Sequence, residues 1–239
     1  MNSDWTYPIV LAIIIGVLAE RDLGTPIILG GIALGILFVS GISWRWMTLL
    51  TTIGIVAITL VSLIGPAYRL NRFKAWLSPT SFPETYGYQL LHGQYALAKG
   101  GLFGSGLGQS TEKWGALPAA HTDFILSVIG EELGIIGTLG ILLLLTVLIL
   151  SGMRIASQTQ DDFSRMLAFG IVTWIAVQSV VNVGAIVRAL PITGVPLPFV
   201  SYGGSSLIPA MTAMGVLLAI ARENARVAKQ AREAVEEVV

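Results

Sequence analysis

Five stretches of this 239-residue chain carry no charged side chain: residues 23–44, 46–68, 133–153, 166–187 and 189–221, spanning 22, 23, 21, 22 and 33 positions. That feature restricts the fold more than any other. A helix rising about 1.5 Å per residue needs about 20 apolar residues to cross ~30 Å of hydrocarbon, and each stretch is long enough. Soluble domains carry roughly 25% charged residues; here the figure is 12%, against 54% hydrophobic. A soluble globular domain is excluded. The absence of cysteine excludes a disulfide scaffold, and 14 basic residues against 14 acidic ones lack the excess of a nucleic-acid binder. The fold class that follows is an all-α polytopic integral membrane protein with about six transmembrane helices.

The apolar segment 5–19, between Asp4 and Glu20, is short for a span. It has no basic flank, and Glu20-Arg21-Asp22 replaces a cleavage site, so it reads as a short helix rather than a signal peptide. Pro26 suits the first turn of a helix over 26–42, Trp44-Arg45-Trp46 forms an interfacial turn, and a helix over 47–65 stops at Gly65-Pro66. Further helices are expected over 124–153, 163–187 and 205–221, making 1–221 the membrane domain. The tail 222–239, with four basic and four acidic residues, reads as a helical cytoplasmic extension. Between the spans lies one large loop, 66–122, with Arg69, Arg72, Lys74, Lys99 and Lys113 against Glu84 and Glu112, a balance of +3. Its four prolines and eight glycines point to a structured, functional loop. With that loop discounted, seven basic residues against two place the turn 41–46, the loop 154–165 and the C-terminus in the cytoplasm. The large loop and the Pro/Gly segment 190–198 are then extracytoplasmic.

Function must sit in the residues that interrupt the apolar pattern. Asp123, after His121 and Thr122, opens a membrane helix. A helix cap and a general base at the membrane surface explain it equally well. Glu131 and Glu132 lie more than two turns further on, too deep for ordinary surface charges, and serve either structural pairing or function. Arg72 and Lys113 can bind phosphates or simply meet lipid headgroups. The run Gly100-Gly101-Leu102-Phe103-Gly104-Ser105-Gly106-Leu107-Gly108 lacks phosphate-loop spacing and suits close backbone packing instead. Three prolines within 190–198 forbid regular helix before Ser201-Tyr202-Gly203-Gly204-Ser205-Ser206, and non-helical backbone at membrane depth belongs where it lines a cavity or is buried in protein. His92 and His121 are 29 positions apart and give no metal motif.

Taken in order, Asp22-Leu23-Gly24-Thr25, Gly87-Tyr88-Gln89-Leu90, Gly104 to Gly108, Leu117-Pro118, His121-Thr122-Asp123-Phe124, Glu131-Glu132-Leu133-Gly134, Asn182-Val183-Gly184 and Leu190-Pro191 through Gly194 to Ser206 resemble the SEDS family (shape, elongation, division and sporulation) of membrane-embedded peptidoglycan polymerases. Thr193, Phe199 and Ser206 resemble the division type more than the elongation type. The resemblance implies a ten-helix fold of which this chain matches the C-terminal six. It implies a glycosyltransferase that extends a lipid-linked glycan with lipid II, with Asp123 catalytic. Arg72, Lys113, His121, Thr122, Glu131, Ser201, Tyr202, Ser205 and Ser206 are the candidate substrate-binding residues. A divalent cation, Mg or Mn, is a candidate cofactor, and no metal-binding residues are assigned. The implied partners are a class B penicillin-binding protein and other division proteins, and the implied location is the bacterial cytoplasmic membrane at the septum. Three departures from the family pattern stand out: Ala119, His92-Gly93 and Arg188. A lipid-precursor transporter and a non-catalytic scaffold are the alternative functions.

Overall fold

Without water to bond backbone groups, a spanning segment must satisfy them internally, and the uncharged stretches become helices. The computed structural model describes residues 24–64, 67–85 and 87–236, with the backbone alone for 61–64 and 67–69. Among these residues there are seven helices and no strand: α1 Gly24–Val39, α2 Trp44–Ile64, α3 Ala67–Leu77, α4 Tyr88–Gly100, α5 Ile125–Gln158, α6 Asp162–Ile186 and α7 Gly204–Glu236. The segment expected over 5–19 and the motif positions Asp22 and Leu23 lie outside the described residues. The other five expected spans are α1, α2, α5, α6 and α7. Of these, α5, α6 and α7 are long and apolar enough to cross a membrane, α2 runs for 21 residues and α1 is a shorter apolar helix of 16.

The spans pack through small residues. α1 lies along α6 with Gly31 and Gly35, one turn apart, facing it. A Cβ on Gly31 would stand 2.8 Å from Val177, and one on Gly35 would collide with Thr173. Small residues at this spacing let backbones approach where no hydrophobic force drives helices together in lipid. The same device recurs between α5 and α6, where a Cβ on Gly152 would stand 2.6 Å from Val172. One core cluster joins Ala156, Ala168, Val172, Leu217 and Ile220 from α5, α6 and α7. A second joins Leu117, Ala120, Phe124, Leu126, Ile186 and Leu197 at the other end of the bundle. Leu139, Leu143, Leu144, Val147 and Leu150 on α5 remain exposed, which suits a lipid-facing surface.

The 57-residue loop is structured, holding α3, a 3-10 turn over Pro79–Ser81 and α4 before the turns of 101–124. And α7 runs unbroken for 33 residues, past the point near 221 where the sequence changes from apolar to charged. Backbone propensity carries the helix across that change, because Ala, Arg, Glu and Lys are all good helix formers.

Candidate functional site

The loop is built onto α5 by glycines. α5 is broken at Gly134, which adopts φ 68° and ψ −166°, a region open essentially to glycine alone. The turn after α4 fills the break. Ser105 N donates to Glu131 O (2.9 Å) and Gly106 N to Glu132 O (3.0 Å). Ile135 N donates to Gly101 O (2.9 Å) and Ile136 N to Leu102 O (3.4 Å). Side chains at Gly100 or Gly104 would run into the Gly130 and Glu132 carbonyls. The glycine run packs backbone closely, as its spacing suggests.

Glu131 belongs to this joint. It is 1% exposed and accepts from Ser110 Oγ (2.5 Å), Thr111 N (3.0 Å), Thr111 Oγ1 (2.9 Å) and Glu112 N (3.3 Å). Glu132 pairs with Lys113 at 2.5 Å, whose ammonium also lies 5.5 Å from the Trp114 ring. Of the two residues expected at substrate, Glu131 is enclosed by the loop's own donors and Lys113 is balanced by the neighbouring carboxylate. Beside them Glu112 binds Lys99 and His92 Nδ1, each at 2.6 Å. Burial alone would raise the Glu112 carboxyl, but the bonds from Lys99 and His92 outweigh it and hold the group below its ordinary range.

Asp123 stands apart from this joint. The cap position of α5 is Phe124, with no side-chain cap, so the helix does not consume the aspartate. Its carboxylate accepts from Thr122 Oγ1 (2.9 Å) and, at 3.4 Å, from Gln89 Nε2 on α4. The exposed Arg72 on α3 lies within electrostatic reach. Burial pushes the Asp123 carboxyl above its ordinary value, and Thr122, Arg72 and Gln89 only partly offset it.

The Pro/Gly segment between α6 and α7 fixes the backbone here. Ser201 Oγ donates to Thr122 O (2.6 Å) and accepts from Leu197 N (2.7 Å). Tyr202 N donates to His121 O (2.9 Å), and the two rings meet edge-on at 5.8 Å. Asn182 Nδ2, from α6, donates to Asp123 O and Val195 O, both at 2.8 Å. Ser206 closes its own turn on Gly203 O (3.0 Å), and Ser205 is exposed. The structure thus gathers Asp123, Thr122, His121, Ser201, Tyr202 and Arg72, and leaves Glu131 and Lys113 in a separate joint.

Gln89 and Asn182, to which the sequence alone assigns no role, both bond to Asp123. The available signal for Asn182 was an amide inside an uncharged span, which needs partners in hydrocarbon. Asn182→Ala leaves the Asp123 and Val195 carbonyls without their donor. We expect a loss of about 2 kcal/mol, read as a lowered midpoint of thermal unfolding, together with lower activity.

A family model described as cell cycle protein, of the FtsW, RodA and SpoVE type, matches residues 3–226. The chain is 43% identical over 217 residues to a Geobacter metallireducens protein named "Probable peptidoglycan glycosyltransferase FtsW", covering 89% of this chain and 56% of that protein. It is 40% identical over 214 residues to stage V sporulation protein E of Bacillus subtilis, covering 90% and 58%. The chain thus spans a little over half the length of these curated relatives. Among solved structures, a chain of a peptidoglycan synthase complex that coordinates polymerization and crosslinking superposes with a TM-score of 0.72 at 27% identity, covering 93% of this chain and 62% of that one. RodA, the rod shape determining protein of Thermus thermophilus, superposes at 0.57 with 24% identity, covering 94% and 58%, a likeness of fold.

Proposed function

Because the chain belongs to the FtsW, RodA and SpoVE family of cell cycle proteins, we propose that it carries the glycosyltransferase centre that polymerises lipid II during division, with Asp123 as general base. The observation that supports this is a half-buried carboxyl that caps no helix and lies within reach of a guanidinium. Asp123 takes the proton of the acceptor's GlcNAc 4-hydroxyl as that oxygen bonds to the anomeric carbon of the lipid-linked donor. The bond from that carbon to the pyrophosphate breaks, and undecaprenyl pyrophosphate leaves with the electron pair. Arg72, on the basic loop, stabilises the growing negative charge. The pyrophosphate is a good leaving group and needs no second carboxyl as acid. His121, Thr122, Ser201 and Tyr202 shape the acceptor side, and Ser205 and Ser206 flank it.

Among the described residues no three His, Asp or Glu side chains converge; Mg or Mn would be held largely by the substrate's own phosphates. The partner in this reading is a class B penicillin-binding protein at the septum, with other division proteins around it. The C-terminus and the 154–165 loop face the cytoplasm, and the 66–122 loop faces outward. Translocation of the lipid precursor is the weaker reading, since the acidic pair that suggested it is engaged by Ser110, Thr111 and Lys113.

The native protein in vesicles with labelled lipid II should yield polymer. Translocation of the label without polymer would overturn the proposal. The base works only when deprotonated and its carboxyl is raised, so the rate should fall with decreasing pH at a higher pH than an ordinary aspartate gives. A rate unchanged down to the ordinary aspartate range would remove Asp123 from the role.

A further inference from the structure

Arg188 follows α6 and has φ 63°, a conformation that an L side chain keeps only where its surroundings hold it. What holds it is α3. Arg188 Nε donates to Trp76 O (3.0 Å) and Nη2 to Leu77 O (2.6 Å), while Trp76 Nε1 donates back to Arg188 O (3.1 Å). The Trp76 and Leu77 carbonyls are among the last of α3 and have no partner within the helix. A cation there also meets the negative end of the helix dipole. The helices packed most against α3 among the described residues are its chain neighbours, α2 and the 3-10 turn. The Arg188 bonds instead join it to a point 112 positions away. Trp76 is four residues after Arg72, so both project from one face of α3. The Trp76 indole on that face bonds the Arg188 carbonyl, and the guanidinium holds the helix end about one turn beyond Arg72.

We propose that Arg188 is a positioning residue: its guanidinium clamps the C-terminal end of α3 and thereby holds Arg72 at the Asp123 site, where it meets the anionic substrate. The proposal rests on the polymerase reading of Asp123. A glycine at this position keeps the positive φ without strain and keeps the carbonyl that accepts from Trp76, so it removes the two guanidinium bonds alone. A lysine keeps the charge but offers a point donor in place of the two-pronged guanidinium.

The experiment compares native protein, Arg188→Gly and Arg188→Lys in lipid nanodiscs by amide hydrogen exchange and by lipid II polymerisation across pH. Residues 70–77 should exchange about tenfold faster in Arg188→Gly, less so in Arg188→Lys, with residues 139–150 of α5 unchanged. KM should rise about fivefold or more as Arg72 loses its place on the anionic substrate. The low-pH limb of the rate should move to higher pH, because Arg72 is the charged side chain favouring ionised Asp123, while its other partners, Thr122, its own backbone N–H and Gln89, do not titrate. A merely structural loss would lower yield and leave KM and the pH limb in place. Unchanged exchange at 70–77, or faster exchange with KM and pH limb unmoved, overturns the proposal. Native protein that makes no polymer overturns the polymerase reading, and the exchange comparison then decides the clamp separately.

Discussion

Asp123→Asn should abolish lipid II polymerisation while the protein still folds. Asparagine has the shape of aspartate and keeps an acceptor oxygen for Thr122 Oγ1, 2.9 Å away, while its amide nitrogen takes the place of the oxygen that accepts from Gln89 Nε2 at 3.4 Å, the longer of the two bonds. What it cannot do is take a proton. A general base contributes about 10²–10⁴ in rate, or about 2.7–5.4 kcal/mol of barrier, and the polymer yield should fall by at least that factor. Stability should move the other way. Burial raises the carboxyl of Asp123, so the ionised group costs the folded state free energy at neutral pH, and a neutral amide relieves that cost. The midpoint of thermal unfolding should hold or rise slightly. Loss of polymer with loss of fold would point to a structural residue, and full polymer would remove Asp123 from the chemistry.

The second large effect is on stability. Gly134→Ala places a Cβ 2.5 Å from both Gly104 N and Leu102 O, backbone atoms that cannot rotate away. It also forces alanine to φ 68° and ψ −166°, a strain of about 1–3 kcal/mol by itself. Relieving the clash means separating the strands of backbone joined at 101–106 and 131–136. We expect a total of about 4 kcal/mol or more, seen as a sharply lowered unfolding midpoint. Gly140→Ala is the internal control. It lies in the same helix with nothing within 4 Å of its Cβ position, and alanine there should be neutral or stabilising by up to about 1 kcal/mol. Equal midpoints for the two variants would show that the break in α5 is not under this constraint.

The spans were legible because hydrocarbon thickness converts directly into a run of uncharged residues, and α1, α2, α5, α6 and α7 occupy the runs. The break in α5 was not legible. Gly134 sits among apolar residues like any membrane glycine, and the backbone it must admit, Gly104, comes 30 positions earlier with no periodicity linking them. Glu131 shows the same division. Its depth was visible from spacing, but Ser110 and Thr111, the donors that surround it, are named only by the fold. Asp123 was visible too, yet two local roles stood level until the cap position proved to be Phe124. The start of the tail was marked at 222 by charge, while α7 continues to Glu236. Side-chain chemistry tracks the solvent, and the helix ladder tracks propensity.

The joint at Gly134 also limits how the site can move. Four backbone bonds tie the turn after α4 to α5, within a helix long enough to span. Peeling that turn away would break all four bonds, and each donor or acceptor left buried without a partner costs about 1–3 kcal/mol. It cannot swing open as a flap. α4, the turn and the first two turns of α5 travel as one rigid block, carrying Gln89 and Asp123 together.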